Sequence, residues 1–225
     1  MTHYTAVIVA AGQGKRMRAG KNKQFLMIGD DPLIVHTLKV FTQDVTCREI
    51  ILVTNEADEA DMQELIETYQ FPKIRLIHGG EERQDSVYEG LKAVSDRKLP
   101  VLIHDGARPF VKESSIRHLV EKIEKDGAAL LAVPVTDTVK QWKDGKLQTL
   151  NRDDLWAAQT PQGFPYELIK EAHEKARARG FYATDDAALA ESFDYDVSIV
   201  RGSYDNIKIT TPEDLQKATS YVEKG

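Results

Sequence analysis

The 225-residue sequence holds one cysteine, Cys47, so no disulfide closes within the chain and no cysteine-based zinc site is available. Its six histidines show no H-E-x-x-H or other metal-ligand spacing. No apolar run approaches the roughly 20 residues that span a bilayer. The N-terminal stretch lacks a signal-peptide pattern, so no membrane partner and a cytoplasmic location are expected. The net charge of −6 gives no general basic footprint, which argues against nucleic acid as a partner. Internal repeats, low-complexity segments and linkers are also missing. The sequence does have 41% apolar and 29% charged residues, the composition of a soluble globular protein, and its length fits one α/β domain over 1–225.

The most informative stretch runs from Thr5 to Leu26. An apolar run, Ala6 to Ala11, is short enough for a strand buried on both faces. It breaks into Gly12-Gln13-Gly14, and Lys15, Arg16, Arg18, Lys21 and Lys23 follow. Glycines at a strand end let backbone N–H groups approach an anion, and neighbouring cations neutralise its charge. That chemistry suits a polyphosphate. The loop is neither a dinucleotide fingerprint nor a Walker loop, because Met17 stands where G-x-G-x-x-G needs glycine and Gly14-Lys15 is followed by Arg16. An ordinary glycine turn with a solvated basic face is the alternative.

Downstream, apolar runs at 49–54, 74–77, 101–104 and 128–133 alternate with helical stripes such as Met62, Leu65, Ile66, Tyr69 and Ile116, Leu119, Val120, Ile123. This alternation predicts a mostly parallel sheet with helices on both faces, whose ligands sit at the carboxyl ends of the strands. Gly12-Gly14, Gly79-Gly80 and Asp105-Gly106 should therefore share one edge. Asp31-Pro32 and Thr211-Pro212 read as helix N-caps followed by proline. A short strand is expected at 207–209. Between about 134 and 152 the rhythm changes. Two strand-like runs, 136–142 and 146–150, flank Asp144-Gly145, a hairpin signal. The apolar residues Val139, Trp142, Leu147 and Leu150 lack a local core, so this hairpin reads as an arm that needs a partner surface, or as a flap on its own domain.

His104-Asp105-Gly106-Ala107-Arg108-Pro109 places a carboxylate and a guanidinium at a strand end, where Asp105 could hold Mg²⁺ against phosphate or simply pair with Arg108. In Gly79-Gly80-Glu81-Glu82-Arg83-Gln84-Asp85-Ser86, Asp85 or Ser86 could cap a helix or read a base or ribose. Asn151-Arg152, Thr160-Pro161-Gln162, Thr184-Asp185-Asp186 and Asp205-Asn206-Ile207-Lys208 are polar patches that singly suit caps or surface turns.

Taken in series, A-A-G-x-G-x-R-M with K-Q-F-L, G-G-x-x-R-x-x-S, H-D-x-A-R-P, Q-T-P-Q, T-D-D-A and D-N-I-K-I-T-x-P-E-D-L resemble the 2-C-methyl-D-erythritol 4-phosphate cytidylyltransferases of the non-mevalonate isoprenoid pathway. The resemblance covers essentially the whole chain. It implies a Rossmann-like, glycosyltransferase-A-like nucleotidyltransferase fold, a homodimer joined by the arm, and transfer of CMP from CTP with Mg²⁺. It further implies that Ala10, Ala11, Gly12, Gly14, Arg16 and Lys23 hold the triphosphate, with Arg16 and Lys23 stabilising the transition state. Gly80, Glu81 and Ser86 would lie near cytosine and ribose, Asp105 with Gly106 would face the nucleotide, and Asp105 would ligate the metal. Arg152 and Lys208 would position the phosphate of the alcohol, helped by Arg108, Thr138 and Thr184. This chain departs from many relatives in carrying Asn22 where they have proline before the loop lysine.

Joining two anions calls for positioning and electrostatic stabilisation, and no protein nucleophile is required. Two other functions share these motifs. A ribitol 5-phosphate cytidylyltransferase would use a different alcohol, and a non-catalytic nucleotide-binding protein would have no need of both Arg16 and Lys23.

Overall fold

A computed structural model describes residues 2–12 and 22–222. Gly14 and Arg16, with the rest of 13–21, lie outside the described residues. In chain order the elements are β1 (Tyr4–Val9), β2 (Met27–Ile28), β3 (Asp31–Pro32), α1 (Leu33–Gln43), β4 (Cys47–Thr54), α2 (Glu59–Thr68), β5 (Ile74–His78) and α3 (Arg83–Lys92). They continue with β6 (Pro100–Asp105), α4 (Glu113–Asp126), β7 (Ala129–Pro134), β8 (Lys140–Lys143), β9 (Lys146–Thr149) and β10 (Trp156–Pro165). The chain closes with α5 (Tyr166–Arg179), α6 (Asp186–Glu191), β11 (Ser198–Arg201) and α7 (Pro212–Val222).

Among the described residues, seven strands form one sheet in the order β11-β7-β10-β6-β1-β4-β5. β1 pairs in parallel with both β4 and β6, and only β10 runs antiparallel to its neighbours β6 and β7. The central strands are apolar without alternation because both faces are covered. Tyr4, Ala6 and Ile8 pack with Ile34, Leu38 and Phe41 of α1 and Ile116 and Leu119 of α4. Val7 packs on the opposite face with Val87 and Leu91 of α3 and Ile169 of α5. Gly90 permits this closeness, since a Cβ there would stand 2.5 Å from Val7 Cγ1.

The expected mostly parallel sheet, the helices on both faces and the projecting hairpin are all present. β8 and β9 are shorter than the runs suggested, and Asp144 and Gly145 turn the hairpin with positive φ of 51° and 73°. Trp142 and Leu147 face each other across it and remain 70% and 61% exposed.

Three local expectations differ. Asp31-Pro32 is a two-residue strand against Met27–Ile28, and Asp31 accepts from Lys39 and Tyr69 instead of capping α1. Residues 207–209 form no strand; a backbone bond from Ile209 N to Ala107 O, 2.9 Å, ties this segment to the turn after β6. β10 was not anticipated, because Gln159, Thr160, Pro161 and Gln162 interrupt its apolar pattern; its pairing with β7 slips between Ala158 and Gln162. At 184–186 the cap reading holds, as Asp185 caps α6 by accepting from Ala188 N at 2.8 Å. The second proline cap holds, as Thr211 Oγ1 accepts from Asp214 N at 3.3 Å and Thr211 N donates to the Asp214 carboxylate.

Candidate active site

β1, β5 and β6 end on the same edge of the sheet, and the turns that follow them meet there. Gly106 N donates to Val9 O at 2.9 Å, joining the turn after β6 to the end of β1. At Gly79 a Cβ would lie 2.8 Å from Ala11 Cβ and 2.5 Å from Ser86 Oγ, so only glycine lets the turn after β5 pack on the first loop. Ser86 Oγ in turn accepts from Gly80 N at 3.2 Å. α3 opens beside this turn, with Glu82 N donating to Asp85 at 3.3 Å, which makes Asp85 the local capping partner.

These turns enclose a cleft of about 260 Å³. Of the residues anticipated for it, Ala11, Gly12, Lys23, Gly80, Glu81, Ser86, Asp105 and Lys208 line it. Ala10 is buried just beneath, its N–H donating to Val53 O. The Asn22 substitution has a structural replacement for proline's stiffness. Its side chain accepts from Gln24 N at 3.1 Å and donates to Asp58, which caps the short 3-10 turn Lys23–Phe25. Lys23 Nζ reaches across to Ile209 O at 3.0 Å.

Asp105 is the electrostatic centre. Its Oδ2 meets Lys208 Nζ at 2.8 Å and Arg108 Nε at 3.8 Å, and its Oδ1 meets Arg83 Nε at 3.1 Å. Burial would raise this carboxyl, but Arg83, Lys208 and Arg108 outweigh it and hold it far below the usual carboxylate range. Arg83 also contacts Asp186 at 2.8 Å; burial disfavours its charge, and Asp186 and Asp105 more than restore it. Behind Asp105, Thr160 Oγ1 accepts from Asp105 N at 3.0 Å and contacts His104 Nδ1 at 3.1 Å. Asn206 fixes the segment that carries Lys208. It donates to Thr160 O and Gln159 Oε1, while its own carbonyl accepts from Arg108 at 2.7 Å.

The chain does not bring every anticipated residue to this cleft. Arg152 donates to Thr136 O at 2.7 Å and lines a separate hollow with Trp156 and Tyr204. Thr138 and Thr184 are exposed. Arg83, Asp186, Thr160 and Asn206 were not anticipated as site residues, although all four fall inside quoted motifs.

Among the described residues no three His, Cys, Asp or Glu side chains stand together as a metal cage. Asp105 is ionised and presents one carboxylate to the cleft. That set fits Mg²⁺ taking most of its ligands from phosphate and water.

A family model described as "IspD: 2-C-methyl-D-erythritol 4-phosphate cytidylyltransferase" matches residues 4–224. The chain belongs to this family. It is 54% identical over 214 residues to the protein of that name from Halalkalibacterium halodurans, covering 94% of this chain and 93% of the relative. The Bacillus velezensis protein of the same name is 54% identical over 217 residues, covering 94% and 92%. Among solved structures, 4-diphosphocytidyl-2C-methyl-D-erythritol synthase from Anaerococcus prevotii superposes with a TM-score of 0.89 at 37% identity, covering 99% of this chain and 96% of that one. The Thermus thermophilus 2-C-methyl-D-erythritol 4-phosphate cytidylyltransferase gives a TM-score of 0.81 at 32% identity, covering 99% and 100%. No helix among the described residues is long and apolar enough to cross a membrane.

Proposed function

We infer that this protein transfers CMP from CTP to 2-C-methyl-D-erythritol 4-phosphate, giving the CDP-linked alcohol and pyrophosphate in isoprenoid precursor biosynthesis. Family membership over nearly the whole chain carries this reading. The cleft's chemistry agrees with it. An oxygen of the alcohol's phosphate attacks the α-phosphorus of CTP in line, and pyrophosphate leaves. With a second pKa near ~6 the acceptor phosphate is already largely ionised, so no strong general base is needed. Nor is a covalent protein nucleophile needed. Burial pushes the Cys47 thiol up to about 12, and His104 is buried with its pKa pushed down to about 4.

The work falls to cations. Lys23 faces the triphosphate from the glycine loop, joined by Arg16, and Gly12 and Gly80 expose backbone to it. Lys208 is half-exposed and pairs with Asp105, so it can turn from that carboxylate toward an incoming phosphate. Magnesium held by Asp105 would neutralise phosphate charge in the transition state. Arg152 reaches an acceptor phosphate if the arm carries it to a second copy of the chain. The exposed Trp142–Leu147 pair supports that homodimer. The enzyme works in the cytoplasm.

A screen of four NTPs against methylerythritol 4-phosphate and ribitol 5-phosphate, read by pyrophosphate release with and without EDTA, tests the proposal. CTP with methylerythritol phosphate and Mg²⁺ should be the productive combination. A preference for ribitol phosphate would replace the alcohol, full activity in EDTA would remove the metal, and no release with any pair would overturn the enzyme.

A further inference from the structure

Arg83 sits on the first turn of α3 between two carboxylates. Its Nε bonds Asp105 Oδ1 at 3.1 Å and its Nη1 bonds Asp186 Oδ2 at 2.8 Å. Asp186 is 2% exposed, and its other oxygen meets Nε2 of the fully buried His173 at 3.2 Å. Since an ionised carboxylate only accepts, His173 Nε2 carries the hydrogen of that bond. The remaining guanidinium nitrogen, Arg83 Nη2, is buried and has no hydrogen-bond partner among the described residues.

That unused nitrogen is informative. Nε and Nη2 form the edge with which arginine grips both oxygens of one carboxylate. Here only Nε reaches Asp105. The pull of Asp186 on Nη1 leaves the fork half-closed, and Asp105 Oδ2 stays on the cleft side with Lys208. We propose that His173 and Asp186 anchor Arg83 so that it makes one contact with Asp105, keeping Asp105 Oδ2 turned to the cleft for the magnesium–triphosphate complex. Arg83, Asp186 and His173 are then positioning residues that act through Asp105. Freed from Asp186, Arg83 would close its fork on Asp105 and occupy the oxygen the metal needs.

This rests on the proposed metal and CTP site. Its test reads binding directly, as Mn²⁺ EPR with α,β-methylene CTP, alongside turnover. Asp186→Asn should lower Mn²⁺ affinity by about 10- to 100-fold, the usual cost of losing a group that orients a metal ligand. Lysine is a point charge with no fork. In an Arg83→Lys background the same Asp186→Asn change should therefore alter Mn²⁺ affinity by less than about twofold. If Asp186→Asn does not fold, as judged by near-UV circular dichroism, His173→Gln loosens the same anchor with both carboxylates kept, and is read in the same cycle. An equal loss in the two backgrounds, or no loss with Arg83 present, overturns the proposal. Wild-type protein that binds no Mn²⁺ overturns it together with the metal reading. Mn²⁺ binding without CMP transfer overturns only the assigned activity.

Discussion

Acid should weaken this fold before any carboxylate titrates, and His104 is the cause. The imidazole is fully buried at the end of β6 and packs against Phe41 with ring centroids 5.0 Å apart. Nε2 donates to Arg108 O at 3.0 Å, and Nδ1 accepts from Thr160, so the neutral ring is satisfied on both sides. Burial pushes its pKa from 6.5 down to about 4, against the Arg108 carbonyl and Asp105, which favour the charge. Between those values the unfolded chain binds a proton that the folded chain refuses. Stability is thus complete above pH ~6.5 and declines as pH falls toward ~4, at up to about 1.4 kcal/mol per pH unit and about 3 kcal/mol in all. Urea unfolding at steps between pH 7.5 and 5 avoids the carboxylate range. Wild type should lose about 2 kcal/mol over that interval. His104→Gln, starting less stable, should show a flatter profile. Parallel profiles for the two proteins would refute the assignment of this acid sensitivity to His104.

Three further outcomes are expected. Lys23→Ala or Arg16→Ala should lower turnover at saturating CTP by about 10²-fold or more, measured by pyrophosphate release, as expected for lost transition-state donors. Gly163→Ala should cost about 1–3 kcal/mol in urea unfolding, because the new Cβ would collide with Ile123 of α4 and stand 2.6 Å from Leu102 of β6. Mixing Arg152→Ala with Lys208→Ala should restore about one quarter of wild-type turnover after subunit exchange: half the dimers are mixed, and each holds one intact site of two in a two-fold interface. Exchanged mixtures as inactive as their parents would place both residues in one chain's site.

The parts of the site legible in the sequence were those encoded locally. Ala6 to Ala11 is a two-faced buried strand, and the glycines after it and at 79–80 mark turns at the same sheet edge because parallel strands end together. Arg83 was not legible in that way. Its role depends on Asp186, 103 residues further on, and neither residue is unusual until the fold buries both. β10 escaped for a related reason. A buried strand with Gln159, Thr160 and Gln162 in its middle reads as a polar turn, yet each side chain finds a hydrogen-bond partner. Gln162 donates to Asp185 and accepts from Ala187 N, and Gln159 donates to Ser203 O. Asp31-Pro32 misled in the opposite sense, since a proline after an aspartate also suits a short strand edge whose acid is taken by Lys39 and Tyr69.

The central claim is that an oxygen of the acceptor's phosphate displaces pyrophosphate from the α-phosphorus of CTP. Methylerythritol 4-phosphate labelled with ¹⁸O in its three non-bridging phosphate oxygens tests this directly, with products followed by ³¹P NMR and mass spectrometry. The account predicts a CDP-linked alcohol that keeps all the label, one labelled oxygen bridging its two phosphorus atoms, and pyrophosphate that carries none. Label in the pyrophosphate, or unlabelled CMP formed without the CDP-linked product, would contradict it.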